Sequence, residues 1–192
     1  MLFIPVFKHF LYEVDNTPMW PFRKSSSEHD RRHSKLIPTG PVILTKDEQD
    51  EVQKGFDRVH EMAGPGQRWA VKTEHVQSFQ HSIAAMALHW RAEELALQLR
   101  IGLVRPTADR EQIVEKMLSA ASKACAFFPV PIYLYHLGCA MELAGKIDEA
   151  REIFRVFLHW QREFNHGEIH GFGPSDDDIP GAIAYADKMV AA

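Results

Sequence analysis

Residues 131–164, PIYLYHLGCAMELAGKIDEAREIFRVFLHWQREF, contain the most specific structural pattern of this chain. The apolar residues of this stretch recur at helical spacing on both sides of Gly145, which predicts two helices joined by a short turn. Gly138 and Ala150 lie on either side of that turn. Small residues at these positions let two helices cross closely, and a glycine in the turn can adopt a left-handed conformation. The stretch therefore predicts a tight antiparallel helical hairpin.

The same stretch resembles a tetratricopeptide repeat, a hairpin of about 34 residues with W-x2-L-G-x2-Y on its first helix and A-x3-F on its second. Leu137 and Gly138 match the central pair, and Ala150 and Phe154 match the second helix. Leucine and methionine stand in the tryptophan and tyrosine positions, and the closing proline is missing. The residues that carry the signature are Leu134, Leu137, Gly138, Met141, Gly145, Ala150 and Phe154.

This resemblance implies a stack of antiparallel helical hairpins, a tetratricopeptide-like α-α superhelix, whose groove binds a partner peptide. It covers one degenerate repeat, because the pattern does not recur cleanly. About 34 residues earlier, for example, Ala150 maps to Lys116. Any tight hairpin also needs small residues where its helices cross, so a helical hairpin unrelated to this family remains the alternative.

Residues 41–192 are predicted to form a single all-α domain. Thr45 and Glu48 make a capping-box pattern at the start of a first helix. A second helical stretch runs from about Thr73 to Leu103, and its length allows a bend or short break near Trp90. The predicted inward-facing residues are Val52, Phe56, Val59 and Met62 on the first helix, and Val76, Phe79, Ile83, Met86, Trp90, Leu95, Leu97, Leu99 and Ile101 on the second.

The remaining segments are also predicted to be helices, which are separated by proline and glycine residues. A third helix is predicted to start at Pro106-Thr107 and to stop before Pro129. An aspartate just before Ile179-Pro180 is expected to cap a last helix, which would cover the open end of the stack. No alternating strand pattern of useful length appears in the sequence.

Residues 1–40 are predicted to be a flexible leader. The part from 23 to 40 is polar and rich in serine and charge, so it offers little apolar surface to bury. Met1–Leu11 is apolar, but proline, lysine and histidine interrupt it, which makes it a poor secretion signal, and Met19 is an alternative start. No apolar run approaches the roughly 18 residues that span a bilayer, so no stable membrane insertion is expected.

Composition narrows the classes of partner and compartment. The chain has 22 Lys and Arg against 26 Asp and Glu, so its net charge of −4 gives no general attraction to nucleic acid. Its two cysteines, Cys125 and Cys139, are too few for a disulfide framework and lie on apolar stretches. Reduced thiols and a cytoplasmic location are therefore predicted.

The best sequence candidate for a metal site is a glycine-rich loop that contains His166, Glu168 and His170 and precedes Asp176–Asp178. Imidazole and carboxylate groups suit zinc or iron. The spacing matches no standard motif, however, and a polar loop followed by a capping acid explains the same residues. The sequence therefore predicts no metal and no cofactor, and leaves a metal-dependent enzyme or metal-binding protein using this loop as the alternative function.

Arg151, Arg155 and Arg162 recur along the second helix of the hairpin and form a candidate partner-facing strip. Glu152 and Glu163 lie among them, so a solvated face of mixed charge is the alternative. No catalytic nucleophile motif or phosphate-binding loop is present. The sequence thus favours a non-enzymatic protein–protein interaction or scaffold module that binds a protein or peptide partner.

Overall fold

The computed structural model describes residue 37 and residues 41–63, 76–102, 107–163 and 179–192, and these contain helices and no strand. The all-α prediction is therefore confirmed for the described part of the chain. The helices are α1 (Lys46–Ala63), α2 (Val76–Arg100), α3 (Thr107–Phe127), α4 (Pro131–Leu143), α5 (Ile147–Glu163) and α6 (Ile179–Ala191). None of the described helices is both long and apolar enough to cross a membrane.

The predicted capping box opens α1. The backbone N–H of Thr45 donates to Oε2 of Glu48 at 2.7 Å, and the N–H of Glu48 donates to the threonine hydroxyl at 3.3 Å. Glu48 also accepts from the hydroxyl of Ser119 at 2.8 Å and from Nζ of Lys123 at 2.6 Å, both on α3. One carboxylate therefore caps the N-terminus of α1 and links that helix to α3.

α2 is one helix from Val76 to Arg100, without the break near Trp90 that its length allowed. The predicted inner face is correct for Ile83, Leu95 and Leu99, which are buried. It is wrong for three residues that are more than half exposed: Trp90, Leu97 and Ile101. For Leu97 and Ile101 the reason is helical geometry, because residues two apart in a helix point in different directions, and the run from Leu95 to Ile101 alternates at that spacing. Trp90 is seven residues from the buried Ile83, so the helical period does not account for its exposure.

Consecutive helices pack against each other along the whole order from α1 to α6. In addition, α2 contacts α4, and α4 contacts α6. Thus α4 lies between α2 and α6 and contacts both, and α3 and α5 connect these helices along the chain. We call the surface that they share the α2–α4–α6 face.

The hairpin of α4 and α5 contains the sequence signature. A Cβ atom on Gly138 would lie 2.6 Å from the ring of Phe154, so the two helices cross too closely for any side chain at this position. Ala150 and Phe154 are fully buried, as predicted for the crossing. Gly55 has the same role between α1 and α2, where an added Cβ would lie 2.9 Å from Cβ of Ala87.

The turn of the hairpin is a Schellman motif. Gly145 has a positive φ of 77°, as the turn prediction required. Its N–H donates to the carbonyl of Glu142 at 2.8 Å, and the N–H of Lys146 donates to the carbonyl of Met141 at 2.9 Å. These two bonds satisfy carbonyl groups that the end of α4 would otherwise leave unpaired.

Two further expectations concern residues near the two ends of the first described region. Met62, predicted to face inward, lies in the last turn of α1 and is 83% exposed. Ile37, within the predicted leader, is only 1% exposed and belongs to the hydrophobic core. Residues 1–36 lie outside the described part of the chain.

Candidate functional site

A cluster of two histidines and one glutamate lies on the α2–α4–α6 face. His89 and Glu93 are one turn apart on α2 and therefore project from the same side of that helix, and His136 projects from α4. One possible ligand atom from each residue can be chosen so that all three lie within 4.8 Å of one another. The closest contact joins Nδ1 of His136 to Oε1 of Glu93 at 2.8 Å, a hydrogen bond between the two helices. We call these three residues the His–Glu–His cluster.

His89 is the buried member of the cluster, with 5% of its surface exposed. Its ring centroid lies 4.9 Å from that of Tyr133 and 4.7 Å from that of His136, which it meets edge to face. Burial, and next the neighbouring His136, lower the pKa of His89 to about 4, although Glu93 acts in the opposite direction. At neutral pH the ring is therefore neutral, and no hydrogen bond to its nitrogens is found among the described residues.

Glu93 and His136 form the open side of the cluster. Their side chains are 32% and 22% exposed, so the hydrogen-bonded pair is in contact with solvent. The hydrogen bond from His136 is the main cause that lowers the pKa of Glu93, and it outweighs the opposing effect of burial. The cluster consequently presents a carboxylate with two imidazoles beside it.

A second polar group follows along α4. The carboxylate of Glu142 accepts hydrogen bonds of 2.6 and 2.8 Å from the hydroxyl of Tyr185 on α6. Cys139 lies between this pair and the His–Glu–His cluster in sequence, and burial raises the pKa of its thiol to about 11. A thiol that stays protonated at neutral pH is a poor nucleophile, so the site offers no activated cysteine.

An exposed apolar stripe begins beside the cluster on α2 and extends to Ile101, the residue that follows the helix and donates its N–H to the carbonyl of Leu97. It consists of Trp90, Leu97 and Ile101, whose exposed fractions are 55%, 56% and 57%. Their spacings of seven and four residues place the three side chains on one side of the helix. We call these three residues the α2 apolar stripe.

The candidate residues named from the sequence fall into three groups. The signature residues at the hairpin crossing, such as Gly138 and Phe154, are buried and hold the fold. On α5, Arg151 pairs with Asp148 at 3.5 Å and Arg155 with Glu152 at 2.8 Å, which are ion pairs within one helix. Lying outside the described residues are the side chain of Arg162 and the loop residues His166, Glu168, His170 and Asp176–Asp178.

The His–Glu–His cluster was not predicted from the sequence. The spacing of His89 and Glu93 on a predicted helix was a usable local signal, since four residues bring two side chains onto one side. His136 offered no such signal, because it is 43 residues away from Glu93 in sequence. No protein-family model, curated protein or solved structure matches the chain. Any functional argument therefore depends on these residues.

Proposed function

We propose that this protein is a non-enzymatic interaction module that binds a partner peptide on its α2–α4–α6 face. The observation that carries the proposal is the α2 apolar stripe, in which three large apolar side chains on one side of the chain are each more than half exposed. Single exposed apolar residues are ordinary, but contiguous ones mark interaction surfaces in soluble proteins. Tryptophan in particular is enriched among the residues that contribute most to binding.

Polar groups border the stripe and suit the rim of such a site. Glu93 is half-buried one turn from Trp90 and Leu97, and Glu142 and Tyr185 provide further hydrogen-bonding groups along the same face. An apolar centre with a polar border is the usual anatomy of a protein interface. The carboxylates favour a partner segment that carries apolar anchors next to basic side chains.

The resemblance of the α4–α5 hairpin to a tetratricopeptide repeat supports the same class of function. Helical-repeat proteins bind partners on the surface formed by equivalent helices of successive hairpins. Here α2, α4 and α6 are every second helix of the order, and α4 contacts both of the others. A tetratricopeptide-like superhelix and a cytoplasmic location are part of this proposal.

Site-specific photo-crosslinking tests the proposal and separates two faces of the molecule. A photoreactive phenylalanine derivative is placed at Leu97 on the stripe, or at the exposed Arg155 on α5, in the full chain within its native cell. We expect one discrete partner to crosslink through position 97, and the substitution Trp90→Glu to abolish that product. With the purified partner, Trp90→Ala should weaken binding roughly tenfold or more.

The other outcomes have definite meanings. A partner that crosslinks only through position 155 would support the basic strip of α5 and overturn the choice of face. If neither position yields a discrete product, the interaction module itself is wrong. The alternative function, a metal-dependent protein that uses His166, Glu168 and His170, remains a prediction because these residues lie outside the described part of the chain.

A further inference from the structure

We propose that His89, Glu93 and His136 bind a divalent transition-metal ion. Two imidazoles and one carboxylate form a ligand set that such ions use widely, zinc and non-haem iron among them. This site differs from the glycine-rich loop that the sequence suggested, and it does not depend on the peptide-binding function.

The positions of the three side chains favour the binding of one shared ion. The chosen ligand atoms lie within 4.8 Å of one another, whereas two ligands of one ion lie at most about 4.2 Å apart, given bonds of about 2.1 Å. Binding therefore requires the side chains to move the most distant ligand atoms roughly 0.6 Å or more towards each other. Two ligands come from successive turns of α2, and a helix holds such a pair at a fixed spacing.

Each residue also has coordination capacity available. His89 lies in ring contact with His136, at 4.7 Å between centroids, and its neutral imidazole can offer a nitrogen lone pair to an ion. The bond between His136 and Glu93 holds its two ligand atoms 2.8 Å apart. An ion bound to both atoms in place of the shared proton would need them only a few tenths of an ångström further apart, given bonds of about 2.1 Å.

Access and charge determine the type of site. The partial exposure of Glu93 and His136 provides an entry path, and water can complete the coordination of an ion held by three protein ligands. Arg100 is close enough to Glu93 to affect the carboxylate, and its positive charge opposes a bound cation. We therefore expect weaker binding than in a structural zinc site with four protein ligands.

Metal titration of the full chain, purified without an affinity tag and stripped with a chelator, tests the proposal. Co²⁺ and Zn²⁺ are the probes. We expect one equivalent of Co²⁺ to bind with the visible absorption of a site of low coordination number, and Zn²⁺ to displace it. Glu93→Gln should weaken Co²⁺ binding roughly tenfold or more, and His136→Gln should do the same.

Matched variants control for unspecific effects. Glu94→Gln changes the adjacent, more exposed carboxylate of α2, and His159→Gln removes an exposed histidine of α5. Both should bind Co²⁺ like the unaltered protein. Circular dichroism should show that all four variants keep their helices, and because Glu93 and His136 are partly exposed, their substitution leaves the core unchanged.

Three results would overturn the site. The first is the absence of one-equivalent binding by either ion. The second is binding that Glu93→Gln and His136→Gln leave unchanged, or that Glu94→Gln weakens equally. The third is binding that persists in these variants and disappears in a double alanine variant of His166 and His170, which would assign the ion to the loop.

Discussion

Gly138 has a function at the crossing of α4 and α5 that no other residue can take over. An added Cβ would lie 2.6 Å from the ring of Phe154, and that ring is fully buried and cannot swing away into solvent. Close-packed interiors respond to such overlap with shifts of backbone and side chains. The requirement for glycine is therefore steric and does not arise from the helix itself.

We predict that Gly138→Ala lowers the free energy of unfolding by about 1–3 kcal/mol, and that Gly138→Leu lowers it further. Gly181→Ala on α6 is the control, because an added Cβ there meets no atom within 4 Å. Since alanine favours helix more than glycine does, this control should be neutral or slightly stabilising. Urea denaturation measures all three variants. Equal effects of Gly138→Ala and Gly181→Ala would contradict the close crossing.

Glu48 makes stability depend on pH. Burial disfavours its ionised form, but hydrogen bonds from Lys123, the backbone of Thr45 and Ser119 together outweigh burial and lower its pKa below 4.5. A carboxyl group whose pKa is lower in the folded state stabilises the protein above its unfolded pKa. That contribution disappears as the pH falls through the folded pKa.

We therefore predict that Glu48→Gln destabilises the protein most at neutral pH. The difference in unfolding free energy between the two proteins should narrow progressively below about pH 4.5. Denaturation curves between pH 7 and pH 3 measure this difference. Glu51→Gln, which removes an exposed pairing with Lys54, should change stability by less than about 1 kcal/mol. A difference for Glu48→Gln that stays constant with pH would show that its ionisation is not involved.

At the scale of elements, the glycine turn determines where α4 ends and α5 begins. Gly145 adopts a left-handed conformation, and an added Cβ would meet nothing within 4 Å. The cost of any side chain there is therefore backbone strain alone, which is about 1–2 kcal/mol for most residues and less for asparagine. Gly138 is thus required because a side chain would overlap Phe154, and Gly145 because of its backbone conformation.

We predict that the stability of variants at this turn ranks as Gly145, then Gly145→Asn, then Gly145→Ala. The expected loss for alanine is about 1 kcal/mol, because the turn hydrogen bonds remain but the left-handed conformation is disfavoured. Thermal unfolding followed by circular dichroism at 222 nm, where α-helices give a negative band, measures the series. An alanine variant as stable as the unaltered protein would contradict the conformation of the turn.

The α2 helix shows why an apolar residue is a weaker signal than its position. Leu95 and Leu99 are buried, whereas Leu97 between them is 56% exposed. All three are leucines in one helix, and only their direction relative to α3 and α4 separates them. Reading the helical period strictly would have placed Leu97 with Trp90 on the other side, because they are seven residues apart.

For the whole molecule, Ile37 connects the N-terminal region to the core. It is 1% exposed although it precedes the first described helix by nine residues, since α1 begins at Lys46. Truncating a buried isoleucine typically costs 2–5 kcal/mol, roughly. The boundary between dispensable and required sequence should therefore fall before this residue.

We predict that removing residues 1–36 leaves the melting temperature within a few degrees, because the sequence predicts a flexible leader there. Removing residues 1–40 should lower it by roughly 5–15 °C, as the loss of Ile37 implies for a domain of this size. Differential scanning calorimetry of both proteins, with Ile37→Ala in the full chain as a third sample, measures this. Equal melting temperatures for the two truncations would contradict burial of Ile37.

Features that depend on neighbours within about one or two helical turns could be predicted from the amino-acid sequence. The capping box of Thr45 and Glu48, the turn at Gly145 and the helical content all belong to this class, and the structure confirms them. The small residues at the crossing of the hairpin were also predicted, because the two helices that cross are close in sequence. Local interactions leave a local pattern, which a single sequence displays.

Contacts between residues that are distant in sequence became visible only in the packed structure. Glu48 reaches residues 71 and 75 positions later, and Glu93 reaches His136, 43 positions later. Such pairs follow from the way that α1 approaches α3 and α2 approaches α4. Those approaches depend on the summed packing of many side chains, Gly55 against Ala87 among them. A candidate site made from two helices therefore appears only after the helices have packed, because neither helix alone contains its full set of ligands.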